Sequence, residues 1–387
     1  MNTMKEKCIF ILLTALMFGC GNNIKTTTKY NTTTSLKLEV DSICIPLDSL
    51  SLPVYPSVSF VYSNNEHTYL YAFNTKTWSI DVFNLNNRLI ERHIVLNREG
   101  ANGVSYIKAL QVLSPDSLVC FDDSGFFILN ANGNIICKEV ILYTASDCVG
   151  NLELGEFTQP FYDIKKGIIY GNFITSKEPY PYPDGQELFA AYHVKTQKWK
   201  LLPVYLPSFM EKHWRNLGRN NHLNMWISDG LICYNFTCLS DIFVYDISKQ
   251  SNTTAGGQSH MVKSDVFLYK GDCNNEKAKW QHWVDNPIFY SPIYDKYRKL
   301  YYRIQLGEFR DHFYGEPTPY DKKIVLSVFN EKLEMISEFR LDNYKYNFIF
   351  FGVTKAGLVV GGNNPKDPSL DYEYLKLFRL KVSVWNM

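Results

Sequence analysis

The sequence contains no GxSxG elbow, no HExxH, no phosphate-binding loop and no GxGxxG. The nucleophile, zinc and nucleotide chemistries that depend on those spacings therefore have no motif to rest on. It also lacks an excess of either charge, with 40 basic and 39 acidic side chains. A nucleic-acid partner needs a basic footprint to neutralise phosphates, so that class is excluded. Nine cysteines are present, but none falls in a CxxC or Cys/His pattern. Cys44, Cys120, Cys137 and Cys233 lie in apolar runs, where a thiol behaves as a small hydrophobe. A Cys233–Cys238 bridge across a strand end stays open. Neither a metal nor a cofactor is expected; the histidines that could share a metal are His213, His222, His282 and His312.

Long apolar runs are missing too, apart from Ile9 to Phe18 near the N-terminus. Preceded by Lys5 and Lys7, that run has the length of a signal-peptide core and is too short for a permanent membrane span. It ends in Leu16-Met17-Phe18-Gly19-Cys20, which reads as a lipobox with Met17 and Phe18 where Leu and a small residue are usual. Residues 1–19 are thus expected to be a signal peptide and Cys20 the lipidated N-terminus, anchored by a diacyl group. Loss of Lys5, Lys7 and Glu6 with the leader leaves a formal charge of zero. Residues 20–35 are polar and without apolar period, and read as a flexible tether reaching roughly 20 Å.

Beyond the tether, helical signatures are few and aromatic residues make up 15% of the chain. Short Val/Ile/Tyr/Phe-rich runs recur between Asn/Asp/Gly/Lys turns, which is an all-β text. TYLYAFN, WSIDVFN and LIERHIVL form one unit; SLVCFDD, GFFILN and IICKEVIL form the next; GIIYGNF, ELFAAYHV and WKLLPV form a third. Each is preceded by one more strand, as at Ile107 to Val112 or Phe157 to Ile164. Four antiparallel strands per repeat predict propeller blades near 55–96, 105–143, 157–205, 222–269 and 285–341. A sixth begins at Asn347 with only three strands. The orphan strand Leu36 to Leu47 fits that gap, giving one six-bladed domain over 36–387, with seven blades as the competing count.

Leader, tether, hairpin repeats and the loop Asn97-Arg98-Glu99-Gly100-Ala101-Asn102-Gly103 together resemble the TolB-like six-bladed β-propeller lipoproteins of Bacteroidetes, a family of unknown function. The resemblance covers nearly the whole chain and implies a cell-envelope, outer-membrane lipoprotein. It carries over no catalytic residues. Gly21 to Lys25 lack the acidic run associated in that group with surface export, which points to the periplasmic side.

In a propeller, the loops b-to-c and d-to-a share one face and the loops a-to-b and c-to-d share the other. Sorted this way, one face carries tight turns such as SPDS, KKG, SDG and NANGN. The other carries SKEPYPYPDGQ, LPSFMEKHWRNLGRNNH, GDCNNEKAKWQHW and GEFRDHFYGEPTPYDK. An elaborated face on a plain scaffold is where binding is expected. Trp214, Arg215, Trp280, His282, Trp283, Arg310, His312 and Tyr314 are its candidate ligand-binding residues, able to stack on a ring or pair with a carboxylate. Each tryptophan taken singly reads better as a cap on the hydrophobic end of a blade; it is the face as a whole that reads as a binding surface. The expected function is a binding or scaffold module for a glycan, a peptide or an envelope protein. The alternative is a glycan-processing enzyme, a hydrolase or lyase, using acids such as Asp122, Asp123, Glu308 and Asp311 together with the histidines of the long-loop face.

Overall fold

The computed structural model describes residues 28–31 and 36–384, apart from 56–57, 65, 101, 146–147, 156, 178–181, 183–184, 264–265, 273, 310–314, 342–343 and 348–349. Six antiparallel sheets follow one another around a ring. Blade one comprises Ser59–Ser63, Thr68–Asn74, Ser79–Asn84 and Leu89–Val95. Blade two runs from Ala109–Ser114 to Ile135–Val140, and blade four from Leu223–Ser228 to Ser251–Ala255. Burial explains their composition. The middle strand Ser79–Asn84 is buried throughout because both faces of its sheet meet neighbouring blades. The outermost strand Ile135–Val140 alternates between half-buried and exposed, with only one side covered. The apolar clusters accordingly sit between successive blades around the ring, as where Phe73, Val82 and Ile94 of blade one meet Leu110, Cys120 and Phe127 of blade two.

Turns are set by a recurring Asn or Asp at a strand end, whose side chain accepts hydrogen bonds from backbone N–H groups two and three or four residues on. Asn74, Asn84, Asp122, Asn130, Asp246, Asp295 and Asn330 all do this. These Asx turns reverse the chain without help from tertiary contacts.

Three boundaries differ from the sequence expectation. Blade four ends at Ala255 rather than 269, because the chain then leaves the sheet and runs along blade five. The inner strand of blade three is not continuous over 157–164. Phe161–Asp163 pairs the lower part of Ile168–Thr175, and Cys148–Leu152 pairs its upper part. Blade five's inner strand is likewise split into Ile288–Phe289 and Ile293–Asp295. Cys233 and Cys238 are not bridged: Cys233 lies mid-strand between blades four and five, while the Cys238 thiol packs on Met210.

Blade six holds Phe350–Thr354, Gly357–Gly361 and Tyr374–Val384, and its outer strand is Leu36–Pro46. All eleven residues of that N-terminal strand pair in register, from Leu36 opposite Val384 to Pro46 opposite Tyr374. Residues 29–31 of the expected tether are held against the ring. Met335 of blade five donates to Lys29, Asn31 donates back to Met335, and the Tyr30 ring stacks on His260 at 3.8 Å. Residues 1–27, with the expected signal peptide and Cys20, lie outside the described residues.

A polar latch joins the closing strand to blade one. His93 reaches Asp81 with Nδ1 at 2.8 Å and Asp48, just beyond the closing strand, with Nε2 at 3.0 Å. Asp81 is fully buried and also accepts from Tyr55, Asn74 and Ser79. Burial pulls the imidazole pKa down, but the two carboxylates outweigh it and raise it above 6.5. Asp48, despite the opposing effect of burial, is held down to about 2 by His93, Ser51 and Leu50. The stabilisation from His93 is therefore complete below its ordinary range and is lost as pH rises through the raised value. That from Asp48 is present above the ordinary carboxylate range and fades as pH falls towards 2. His93→Gln is expected to cost about 1–2 kcal/mol at pH 6 and to flatten the decline of stability above that pH. Urea titrations at a series of pH values check this; an unchanged slope would remove the latch.

Candidate functional site

Helix α1 (Ser208–His213) and helix α2 (Glu276–Asp285) rise from two d-to-a connections on the long-loop face. Helix α2 is fixed at both ends. The Asn275 side chain accepts from Ala278 N–H at its start. At its end the fully buried Lys322 ammonium donates to the carbonyl oxygens of Asn286 and Gly307 at 2.8 and 2.9 Å. Burial pushes that lysine down to about 8, while Asp285 and Glu308 pull the other way. A cation at this position also complements the helix dipole.

His282 pins the helix to the adjoining loops. Its Nε2 donates to the carbonyl oxygen of Phe267 at 2.8 Å, and its Nδ1 lies 3.1 Å from the Asn220 amide. Both ring nitrogens thus have partners, and burial lowers the pKa despite the opposing Phe267 bond. Gly218 makes room for the ring: its φ is +59°, and a Cβ there would stand 3.1 Å from His282 Nδ1.

Rigidly seated in this way, helix α2 presents Trp280 outward, 40% exposed. The Arg219 guanidinium lies over its ring at 5.6 Å and pairs with Glu276 at 2.9 Å. Phe267, edge-on to His282 at 5.2 Å, is 54% exposed, and the segment Phe267 to Gly271 with His282 lines an open cavity of about 630 Å³. Trp283 tilts against Trp280 at 4.9 Å but packs its other side on the apolar cluster of blades five, six and one. Trp214 turns inward, edge-on to Tyr182 and Phe236, and caps the core of blades three and four. Arg215 beside it is exposed. The two long connections meet directly, since Tyr269 N–H donates to Asn216. Arg310, His312 and Tyr314 lie outside the described residues, as does Asp311.

The Asn97–Gly103 loop closes on itself through a bridge between those two residues, and Arg98 covers the Trp78 ring at 4.6 Å. Asp122 is engaged in its turn, and Glu308 pairs with Lys323 at 2.8 Å. Among the described residues, no group of three His, Cys, Asp or Glu is placed to hold a metal, and no helix is long and apolar enough to cross a membrane. Arg219 and Phe267 were not among the candidate residues. Their signal, an Arg and a Phe in loops already rich in aromatics, is too common to single them out before the two loops are known to touch.

The same fold is present in a crystal structure of a DUF4221 member from Bacteroides vulgatus, with a TM-score of 0.75 and 20% identity over 92% of this chain and all of that one. A protein from Bacteroides fragilis described as exported aligns at a TM-score of 0.52 and 10% identity, covering 90% of this chain and 96% of that one. No curated protein matches the chain. The model of the domain of unknown function DUF4221 matches residues 33–340, so this six-bladed propeller belongs to the DUF4221 family.

Proposed function

We propose that the protein is a non-enzymatic, lipid-anchored binding module of the cell envelope that docks a peptide or partner protein on its long-loop face. The observation that supports this is the exposed Trp280 with Arg219 stacked over it, on a helix held by buried His282 and Lys322. Planar aromatic and guanidinium groups on a rigid support lose little entropy on binding and are typical interface anchors. Of the acids considered for glycoside cleavage, Asp122 is engaged in a turn, and Asp123 and Glu308 are in ion pairs with Lys108 and Lys323.

A photoreactive side chain at position 280 is expected to cross-link an envelope partner in cells, whereas one at Lys332 on the tight-turn face gives none. With that partner purified, Trp280→Ala should weaken binding by about 2 kcal/mol, roughly 30-fold, while Asn132→Ala leaves it unchanged. Cross-linking that is equal from both faces would overturn the assignment. The anchor is read separately: Cys20→Ala should release the protein from the membrane fraction.

A further inference from the structure

The inner strands of all six blades line a second cavity, of about 280 Å³, bounded by residues such as Tyr62, Gln111, Phe161, Trp226, Tyr294 and Val353. It opens on the tight-turn face, because its rim is formed where the inner strands end: Ser63, Ser228 and Asp229, Lys296 and Tyr297. The opposite end of the channel is obstructed. Phe157 departs from blade three, accepts from Met225 N–H of blade four at 2.7 Å, and sets its ring 5.0 Å from that of Tyr290 in blade five. Gln111 closes the wall between blades two and three by exchanging two hydrogen bonds with the Tyr162 backbone, at 2.7 and 3.0 Å.

Three properties define what such a cavity accepts. Its volume is near the lower end of small-molecule sites, about 300 Å³, which suits one ring and not a chain. Four partly buried aromatic residues, Tyr62, Phe161, Trp226 and Tyr294, are among those that line it, Tyr294 also being tilted against Tyr301 at 4.9 Å and bonded to Glu331. Its charges are already matched: Lys296 pairs with Asp229 at 3.2 Å and lies 5.7 Å from the Tyr297 ring. Asp229 also accepts from the Ser228 hydroxyl at 2.6 Å, and the Ser63 hydroxyl lies 3.2 Å from that of Thr68. An ionic ligand would have to break the Lys296 pair, whereas a neutral ligand can add to this network through the lone pairs that the Asp229 carboxylate and the Ser228 hydroxyl retain. A pyranose combines an apolar C–H face for the rings with a polar hydroxyl edge for these groups. We propose that this cavity is a binding site for a single neutral sugar ring, separate from the long-loop face.

Methyl hexopyranosides are the probes, with saturation-transfer NMR to detect contact and calorimetry to measure affinity on the full mature chain. Asp229→Asn keeps the side-chain size at a φ of +51°, a conformation that Asn tolerates, and Tyr297→Ala removes an exposed ring, so both variants should fold. Each is expected to lower affinity at least 10-fold, while Trp280→Ala leaves it unchanged. The proposal is overturned if no pyranoside receives saturation transfer, if both variants bind like the wild type, or if free leucine or adenosine binds as well as the sugars. None of these results bears on docking at Trp280, which is measured on the other face.

Discussion

A chain beginning at residue 50 is expected to lose the cooperative fold. Leu36–Pro46 is the outer strand of blade six, and its removal bares the edge of Tyr374–Val384 over eleven residues. Ile43 and Ile45 are fully buried against the cluster that includes Leu375, Leu377 and Leu380. Burying an isoleucine contributes about 1.5–3 kcal/mol, so these two side chains alone account for several kcal/mol. That is a large share of a stability of about 5–15 kcal/mol. Asp48 is lost as well, which strips His93 of one of its two carboxylates. The unpaired edge then becomes a template for association between chains. Size-exclusion chromatography and urea unfolding of the shortened chain should show aggregation or a midpoint too low to measure. A monomer with wild-type stability would mean that the closing strand is dispensable.

That closure was legible because a missing strand at one end and an orphan strand at the other are both visible as text. Blade count was legible for a related reason. A middle strand such as SLVCFD is buried on both faces and therefore reads as an apolar run, and the Asn or Asp at such strand ends marks the turns. The split inner strands of blades three and five were not legible. Phe157 and Tyr290 have the composition of strand residues, and only their contact across the channel shows why the chain departs from the sheet there. Of the candidate residues, sequence placed Trp280, His282 and Trp283 together in one long loop, without showing that the loop holds a helix, and could not rank them. One faces outward, one is buried between loops and one leans on the core, and spacing does not encode which. The channel cavity escaped altogether because its lining comes a few residues at a time from the inner strands of six distant blades. Comparing the last inner-strand residues of each repeat would have exposed it.

Arg303→Ala is expected to cost about 3–5 kcal/mol, the range for removing one partner of a buried, hydrogen-bonded charge system. Arg303 is fully buried on the second strand of blade five, and its guanidinium donates to the carbonyl oxygens of Ser240 and Gly257, both from blade four and its exit. Phe289 and Phe329 bracket it at 5.1 and 5.8 Å. Burial lowers its pKa to about 10, against the pull of Asp241 and Glu338, so it remains protonated at neutral pH. Alanine would leave two carbonyl groups without their donor and a cavity between two phenyl rings, and both effects destabilise. The consequence extends to the long-loop face. Gly257 begins the connection that leads to helix α2, and a Cβ there would lie 2.5 Å from the guanidinium, so chain and arginine are fitted to each other. Glu338, which accepts from His260 N–H at 2.9 Å in the same connection, cannot hold it alone once the arginine is gone. Amide exchange over residues 256–263 should therefore accelerate in Arg303→Ala ahead of global unfolding. Arg219→Ala, which breaks an exposed ion pair with Glu276, should change stability by less than about 1 kcal/mol. Should Arg303→Ala cost no more than Arg219→Ala, the blade-four exit is held by its other contacts and the buried guanidinium is not what fixes the approach to helix α2.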